Sequence, residues 1–438
     1  MHTLEQLEAG RLAGARSLKL SEGLERFPEA IFRLADTLEV LDLSGNRLAE
    51  LPDDLWRLGK LRILFCSGNR LESLPSGLGR CASLSMLGVK ANRIARIPEN
   101  ALSPGLRWLI LTDNHLAALP ETLGRCRGMQ KLMLAGNRLE HLPDSMAALE
   151  RLELLRLSAN RFSGLPAWLA GLPNLAWLAF SGNPFHDAAP PPGNSDAVRI
   201  PWRALTLGRR LGEGASGVIH RAVWRHNGEN RDVAVKLFKG SVTSDGLPMD
   251  EMAACLAAGQ HNALIGALGR LESPPDGAPG LVMPLIAEDF VALAAPPDFD
   301  TCTRDVYPPD LCFAFAATVS ILQRIASAVR HLHQQGMLHG DLYAHNILHN
   351  HAGDARLGDF GAASRLPSAN PAFASALTRL EVKAFACLAG ELLARTSPLT
   401  ADTARFAALQ RLVEHCAHPD PGCRPAFPAI AASLESMA

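Results

Sequence analysis

At 438 residues the chain is too long for one ordinary hydrophobic core, so two or more domains are expected. Apolar residues make up 47% and charged residues 20%, which excludes general disorder, and a net charge of −1 lacks the basic excess of a nucleic-acid binder. Nine cysteines, an odd number without a C-x-x-C pair, fit free thiols in a reducing compartment. The N-terminal stretch is interrupted by Glu5, Glu8 and Arg11 and does not read as a secretion signal. The longest apolar run, from Leu311 to Leu322, falls short of the roughly 18 to 20 residues a membrane-spanning helix needs. A cytoplasmic protein is the expectation.

From residue 15 the phrase L-x-x-L-x-L-x-x-N recurs, with asparagines at Asn46, Asn69, Asn92, Asn114, Asn137, Asn160 and Asn183. Their spacing is 23, once 22, which is not a helical period, and each coil carries a mid-repeat proline that a long helix would not tolerate. One coil cannot bury its own leucines, but stacked coils share a core, with a short parallel strand in each. The asparagine amides are expected to bond the backbone where the strand bends away, and one another along the stack. This pattern resembles leucine-rich-repeat proteins over residues 15–185. It implies an α/β leucine-rich-repeat solenoid of about eight coils with a 22–23-residue period, a degenerate first coil with Gly23 in place of asparagine, and an N-terminal cap over 1–14.

Strand alternation predicts that Ile63, Phe65, Met86, Trp108, Ile110, Met133, Leu154 and Trp177 form an apolar stripe on the concave face, beside Asp42, Lys90, Lys131 and Arg156. Two readings stand: a docking surface for a protein partner, or a face packed on the chain's own linker or second half. Residues 186–203 follow, with Pro190, Pro191, Pro192 and Gly193 marking a semi-rigid connector and no membrane span. Both halves are therefore expected on one side of any membrane.

The second half opens with LGEGASGV, whose Gly212, Gly214 and Gly217 let backbone amides approach phosphates. Next comes VAVK, which ends an apolar strand on Lys236; Glu251 is the candidate partner of that lysine, with Asp250 one register off as the alternative. HGDLYAHNIL then supplies Asp341 and Asn346, and LGDFG supplies Asp359. Phosphoryl transfer needs a carboxylate to take the hydroxyl proton and oxygen ligands to hold a metal ion against the phosphates. Each fragment alone also reads as an ordinary turn or cap, but five in this order and spacing do not.

These motifs resemble the protein-kinase superfamily over about 204–438. The resemblance implies an α+β bilobal domain that binds ATP with Mg²⁺, or Mn²⁺ in its place. Asp341, Lys236 and Glu251 would be catalytic and Asn346 and Asp359 the metal ligands. The nucleotide would lie against Gly212, Gly214, Ser216, Gly217, Val218, Ala234, Lys236, Met283, Pro284 and Ile286, with Met283 as gatekeeper and Pro284 and Ile286 offering backbone groups to the adenine. Cys255, His339 and Phe360 fall where a stacked apolar spine would run. EVKAFACLAGELL resembles the long central helix with Glu381 at its start, and HPDPGCRPAF the closing segment with Arg424.

Three departures bear on mechanism. Gly340 stands where the family has an arginine, which argues against activation by a loop phosphate. Tyr343 replaces the lysine of serine/threonine kinases. Few residues separate Asp359 from Glu381, which shortens the peptide-docking platform and leaves Arg424 without its usual acidic partner. An active protein kinase, serine/threonine by preference, with the repeats recruiting a substrate or regulator, is the leading expectation. A nucleotide-binding scaffold and a small-molecule kinase remain open.

Overall fold

Residues 2–186, 198–240, 242–350, 352–397 and 400–437 are described in the computed structural model, and they gather into two units, Met1–Asn174 and Leu175–Ala438. Pro190 to Gly193 of the connector lie outside the described residues.

The first unit starts with a short helix, α1 (Leu4–Glu8), capped by Thr3 and Gln6 in a reciprocal pair of side-chain bonds. Seven three-residue strands follow: β1 (Ser17–Lys19), β2 (Val40–Asp42), β3 (Ile63–Phe65), β4 (Met86–Gly88), β5 (Trp108–Ile110), β6 (Lys131–Met133) and β7 (Leu154–Arg156). Each pairs in parallel with the next, in register, so Leu41, Leu64, Leu87, Leu109, Leu132 and Leu155 stack in one buried row. The mid-repeat prolines start the opposite side of the coil. Pro28, Pro75, Pro120, Pro143 and Pro166 each sit immediately before a 3₁₀ turn, where the fixed φ suits the entry and no amide N–H is required.

The repeat asparagines correct one expectation. Among the described residues Asn69, Asn92, Asn114, Asn137 and Asn160 bond the backbone and not one another. In Asn137, Oδ1 accepts from Leu116 N at 3.0 Å, while Nδ2 donates to Leu134 O of its own coil (3.0 Å) and Leu111 O of the coil before (2.9 Å). Asn69, Asn92, Asn114 and Asn160 repeat this arrangement. A primary amide has both donors and an acceptor, so it can serve the backbone of two coils at once, and that leaves nothing to offer the next amide.

The inner stripe is a second correction. Met86, Leu154, Ile63, Met133 and Trp108 are buried, and only Phe65 and Ile110 keep partial exposure. The stripe is not the open apolar patch that alternation predicts. Trp177 lies on β8 (Trp177–Ala179), in the second unit, and is 2% exposed.

The second unit contains a six-stranded sheet in the order β10-β11-β12-β14-β13-β9, from β9 (Arg199–Pro201), β10 (Leu205–Glu213), β11 (Gly217–His226), β12 (Glu229–Phe238), β13 (Gly269–Glu272) and β14 (Gly280–Pro284). Ile200, Ala222, Trp224, Val233, Val235, Leu271 and Val282 form its core. The connector therefore ends earlier than 203: β9 adds in parallel to β13 and buries Ile200 completely. Helix α2 (Pro248–Ala257) follows β12. The helical part comprises α3 (Phe315–Gln334), α4 (Pro371–Leu393), α5 (Thr403–Cys416) and α6 (Phe427–Glu435). Here too a boundary moves. α4 begins at Pro371 behind an Asn370 cap, so Glu381 lies in mid-helix and not at its start. Among the described residues no helix is long and apolar enough to cross a membrane, and all nine cysteines are free thiols.

Candidate active site

Two adjoining cavities open beside β10, β11 and β12. The larger, about 310 Å³, is walled by apolar groups that include Leu211, Ile219, Ala234, Ile265, Met283, Pro284, Ile286 and Leu348. Ala234 pairs with Met283 across β12 and β14, which puts both on the same stretch of wall. The smaller, about 180 Å³, is polar: Gly214, Ser216, Gly217, Lys236, Thr243, Asp245, Glu251 and Asp359 line it. A flat apolar slot joined to a polar pocket suits a purine next to its phosphates.

The glycines explain the shape of the polar pocket. At Gly217 a Cβ would meet Leu237 O at 2.4 Å, so only glycine lets β11 lie this close to β12. Around Gly212 and Gly214 there is open space, and Gly214 N donates to Gly217 O at 2.9 Å, which closes the glycine turn. Gly212 and Val218 line neither cavity; Ile219, one residue on and on the other face of the strand, lines both. Ile219, Leu211, Ile265 and Leu348 were missed by motif reading because apolar wall residues carry no motif; the strand alternation of Val218 and Ile219 was the available signal.

Lys236 and Glu251 form an ion pair, with side chains 13% and 6% exposed. Of the two carboxylates considered for Lys236, Glu251 is the one seen paired with it. Burial pushes the Glu251 carboxyl above its ordinary value, Lys236 opposes the shift, and the charge of Asp359 adds to it. Asp359 has φ +56°, a left-handed conformation that an aspartate adopts at modest cost, and its Oδ1 accepts from Gly361 N at 3.0 Å.

Asp341 and Asn346 meet directly. Asn346 Nδ2 donates to Asp341 Oδ2 at 2.7 Å and to Asp341 O at 3.0 Å, which leaves Oδ1 as the oxygen that asparagine can offer a cation. The loop between them is held from below. His339, fully buried, donates from Nε2 to Gly358 O (2.9 Å) and accepts at Nδ1 from Asp341 N (3.3 Å), so both ring nitrogens tie the two motif segments together. Its ring lies 5.6 Å from that of Phe360, and Cys255 is likewise buried, its thiol pushed up to about 12 by desolvation. Glu381 accepts from Gly340 N at 2.8 Å and from His333 Nε2 at 2.7 Å. Burial works to raise the Glu381 carboxyl, but those partners together hold it below its ordinary value.

Arg424, 1% exposed, finds its acceptors in the backbone: Nε donates to His418 O (2.8 Å) and Nη1 to Arg379 O (3.1 Å). Desolvation brings the guanidinium down to about 10. Carbonyls of the helix region thus replace the acidic partner that the sequence lacks.

A family described as protein tyrosine and serine/threonine kinase matches residues 205–387, and leucine-rich-repeat families match residues 37–58, 104–162 and 127–185. Cyclin-dependent kinase 11.1 of Caenorhabditis elegans is 27% identical over 157 residues, 35% of this chain and 20% of its own length. A putative serine/threonine-protein kinase/receptor of Acanthamoeba polyphaga mimivirus is 27% identical over 172 residues, 39% of this chain and 9% of its own. Fibroblast growth factor receptor 1 of Xenopus laevis is 26% identical over 170 residues, 36% and 21% of the two chains. The alignments span about a fifth or less of these relatives. Among solved structures, a leucine-rich-repeat protein of Leptospira interrogans aligns at 25% identity over 42% of this chain and 53% of its own, with a TM-score of 0.37.

Proposed function

Since the chain unites leucine-rich repeats with a protein kinase domain, we propose that it is an ATP- and Mg²⁺-dependent protein kinase that phosphorylates serine or threonine hydroxyls. The observation that carries the reading is the joint placement of the Lys236–Glu251 pair, Asp359 and the glycine turn around one polar cavity, with Asp341 bonded to Asn346. The donor set fits the group it would hold. Bound Mg-ATP would supply the transferable phosphoryl group and neutralise the charge that develops on it.

The chain's own residues do the rest. Met283, Pro284 and Ile286 hold the base in the apolar cavity, where Pro284 retains a carbonyl acceptor although it has no N–H. Lys236, steadied by Glu251, is a fixed cation for the α- and β-phosphates, and Asn346 and Asp359 offer oxygens to the metal. Asp341 orients the acceptor hydroxyl and takes its proton as the oxygen bonds to the γ-phosphorus and the bond from that phosphorus to the β-phosphate oxygen breaks. The repeats, residues 15–185, recruit a protein substrate or regulator, with Phe65 and Ile110 as the partly exposed members of the inner stripe.

A second reading, a small-molecule acceptor, is favoured by one observation: α4 starts at Pro371, so only residues 360–370 separate Asp359 from the helix. A kinase assay with intact-mass detection decides between the two. Phosphate on protein, lost in Asp341→Ala and Lys236→Ala, supports the protein kinase. Turnover equal to those variants ends the kinase proposal, and phosphate appearing only on a small acceptor replaces it with the second reading.

A further inference from the structure

The structure assigns Trp177 as a positioning residue for the catalytic loop, an inference that rests on Asp341 being the phosphotransfer base. Sequence periodicity makes Trp177 the third position of an eighth repeat coil, yet it belongs to the second unit and is 2% exposed there. Its ring lies on Tyr343 with centroids 4.2 Å apart and planes 8° from parallel. Its Nε1 donates to Leu342 O at 2.9 Å. Leu342 and Tyr343 directly follow Asp341, so one side chain fixes both the peptide and the ring that come after the base.

Further groups flank this stacked pair. The Arg304 guanidinium lies 5.1 Å from the Trp177 ring, and on the other side the Tyr343 ring is 5.0 Å from His345, whose Nδ1 is 2.7 Å from Asp305 Oδ1. Arg304 and Asp305 are neighbours in sequence, so the ladder closes on itself around the catalytic loop. A stacked, desolvated series of this kind resists sliding, because shifting one ring breaks contacts on both of its faces.

Two of the sequence departures meet here. Gly340 has φ +73°, and a Cβ placed on it would lie 2.7 Å from Leu178 O and 2.6 Å from Ala362 O. Any side chain at 340, an arginine included, would therefore push Leu178 away. Tyr343, where the family's lysine would stand, is the residue on which Trp177 stacks. The loop has thus changed at the two positions that face residues 177 and 178. Phe180 N completes the contact by donating to Ser364 Oγ (2.9 Å) in the segment after Asp359. Support for the catalytic loop that a longer segment after Asp359 would give comes from β8 instead.

The test uses the full-length chain as wild type, Trp177→Phe and Trp177→Ala. Amide hydrogen exchange is read over residues 339–346 with α5 as internal reference, and kcat and KM for ATP are measured in parallel. In Trp177→Ala, exchange of 339–346 should rise about tenfold, one hydrogen bond's worth of local stability, while α5 is unchanged. Turnover should fall about 100-fold with KM for ATP within about twofold, since misplacing the base by an ångström leaves the nucleotide cavity intact. Trp177→Phe keeps a stacking ring and loses the Nε1–H, so it should fall between the two. Unchanged exchange of 339–346 in Trp177→Ala, loosening that spreads through α5, or a change in KM alone would each overturn the assignment. If the wild type transfers no phosphate, the kinase reading fails by itself, and exchange then decides the positioning role.

Discussion

In the repeats, Asn69, Asn92, Asn114, Asn137 and Asn160 each satisfy the same backbone groups in the same way. In the second unit, His339, Glu381 and Arg424 each solve a buried polar problem that occurs once. The first arrangement is modular: a defect in one coil is felt mainly by its neighbours, so stability is spread along the stack. The second is convergent, because residues from 236 to 359 must meet within one cleft. If the proposed function holds, loss of a single partner there should remove activity without touching the rest.

That contrast can be broken at several points. The largest effect is expected from Asp341→Asn, which keeps the shape and removes the base: turnover should drop by about 10²- to 10⁴-fold while thermal stability is unchanged, as read by steady-state kinetics and calorimetry. A stability loss of similar weight would mean that Asp341 is structural. Next, Asn137→Ala leaves Leu116 N without its partner and takes one of two donors from Leu111 O and Leu134 O, which Asn114 and Asn160 still serve; it should cost about 1–3 kcal/mol in denaturant unfolding, with ATP binding unaltered. An equal loss of ATP affinity would show that the two units do not behave separately.

The smallest effect is a pH dependence at His345. Burial alone would lower its value, but the hydrogen bond and charge of Asp305, with the charges of Asp341 and Asp359, raise it. A raised imidazole stabilises the fold fully below its ordinary value of about 6.5, and this contribution disappears as the pH rises through the higher folded value. The difference in melting temperature between wild type and His345→Gln should therefore shrink on going from pH 6 to pH 9. A difference that grows over that range would reverse the assignment.

Much of the site was legible beforehand. Lys236, Asp341, Asn346 and Asp359 announce themselves by order and spacing; the structure pairs Lys236 with Glu251 and adds a direct Asn346–Asp341 bond that spacing does not foretell. The apolar wall at Ile219, Leu348 and Ile265 was not legible, because such residues look like any other buried strand or loop position. The start of α4 was misplaced by ten residues, since Pro371 and Asn370 mark a helix start only weakly beside the stronger likeness around Glu381.

By itself, the sequence determined what repeats and what is chemically rare: a 23-residue period that only stacked coils can bury, and a set of polar and charged residues whose order and spacing resemble those of protein kinases. Tertiary structure alone decided which neighbours share a space. Trp177 is one more inward repeat position by periodicity, and Gly340 and Tyr343 are two unexplained substitutions, until the fold brings Trp177 onto Tyr343 and Leu178 against Gly340. The physical reason is range: periodicity and turn chemistry act over a few residues, whereas the stack on the catalytic loop joins positions 165 residues apart that no local preference connects.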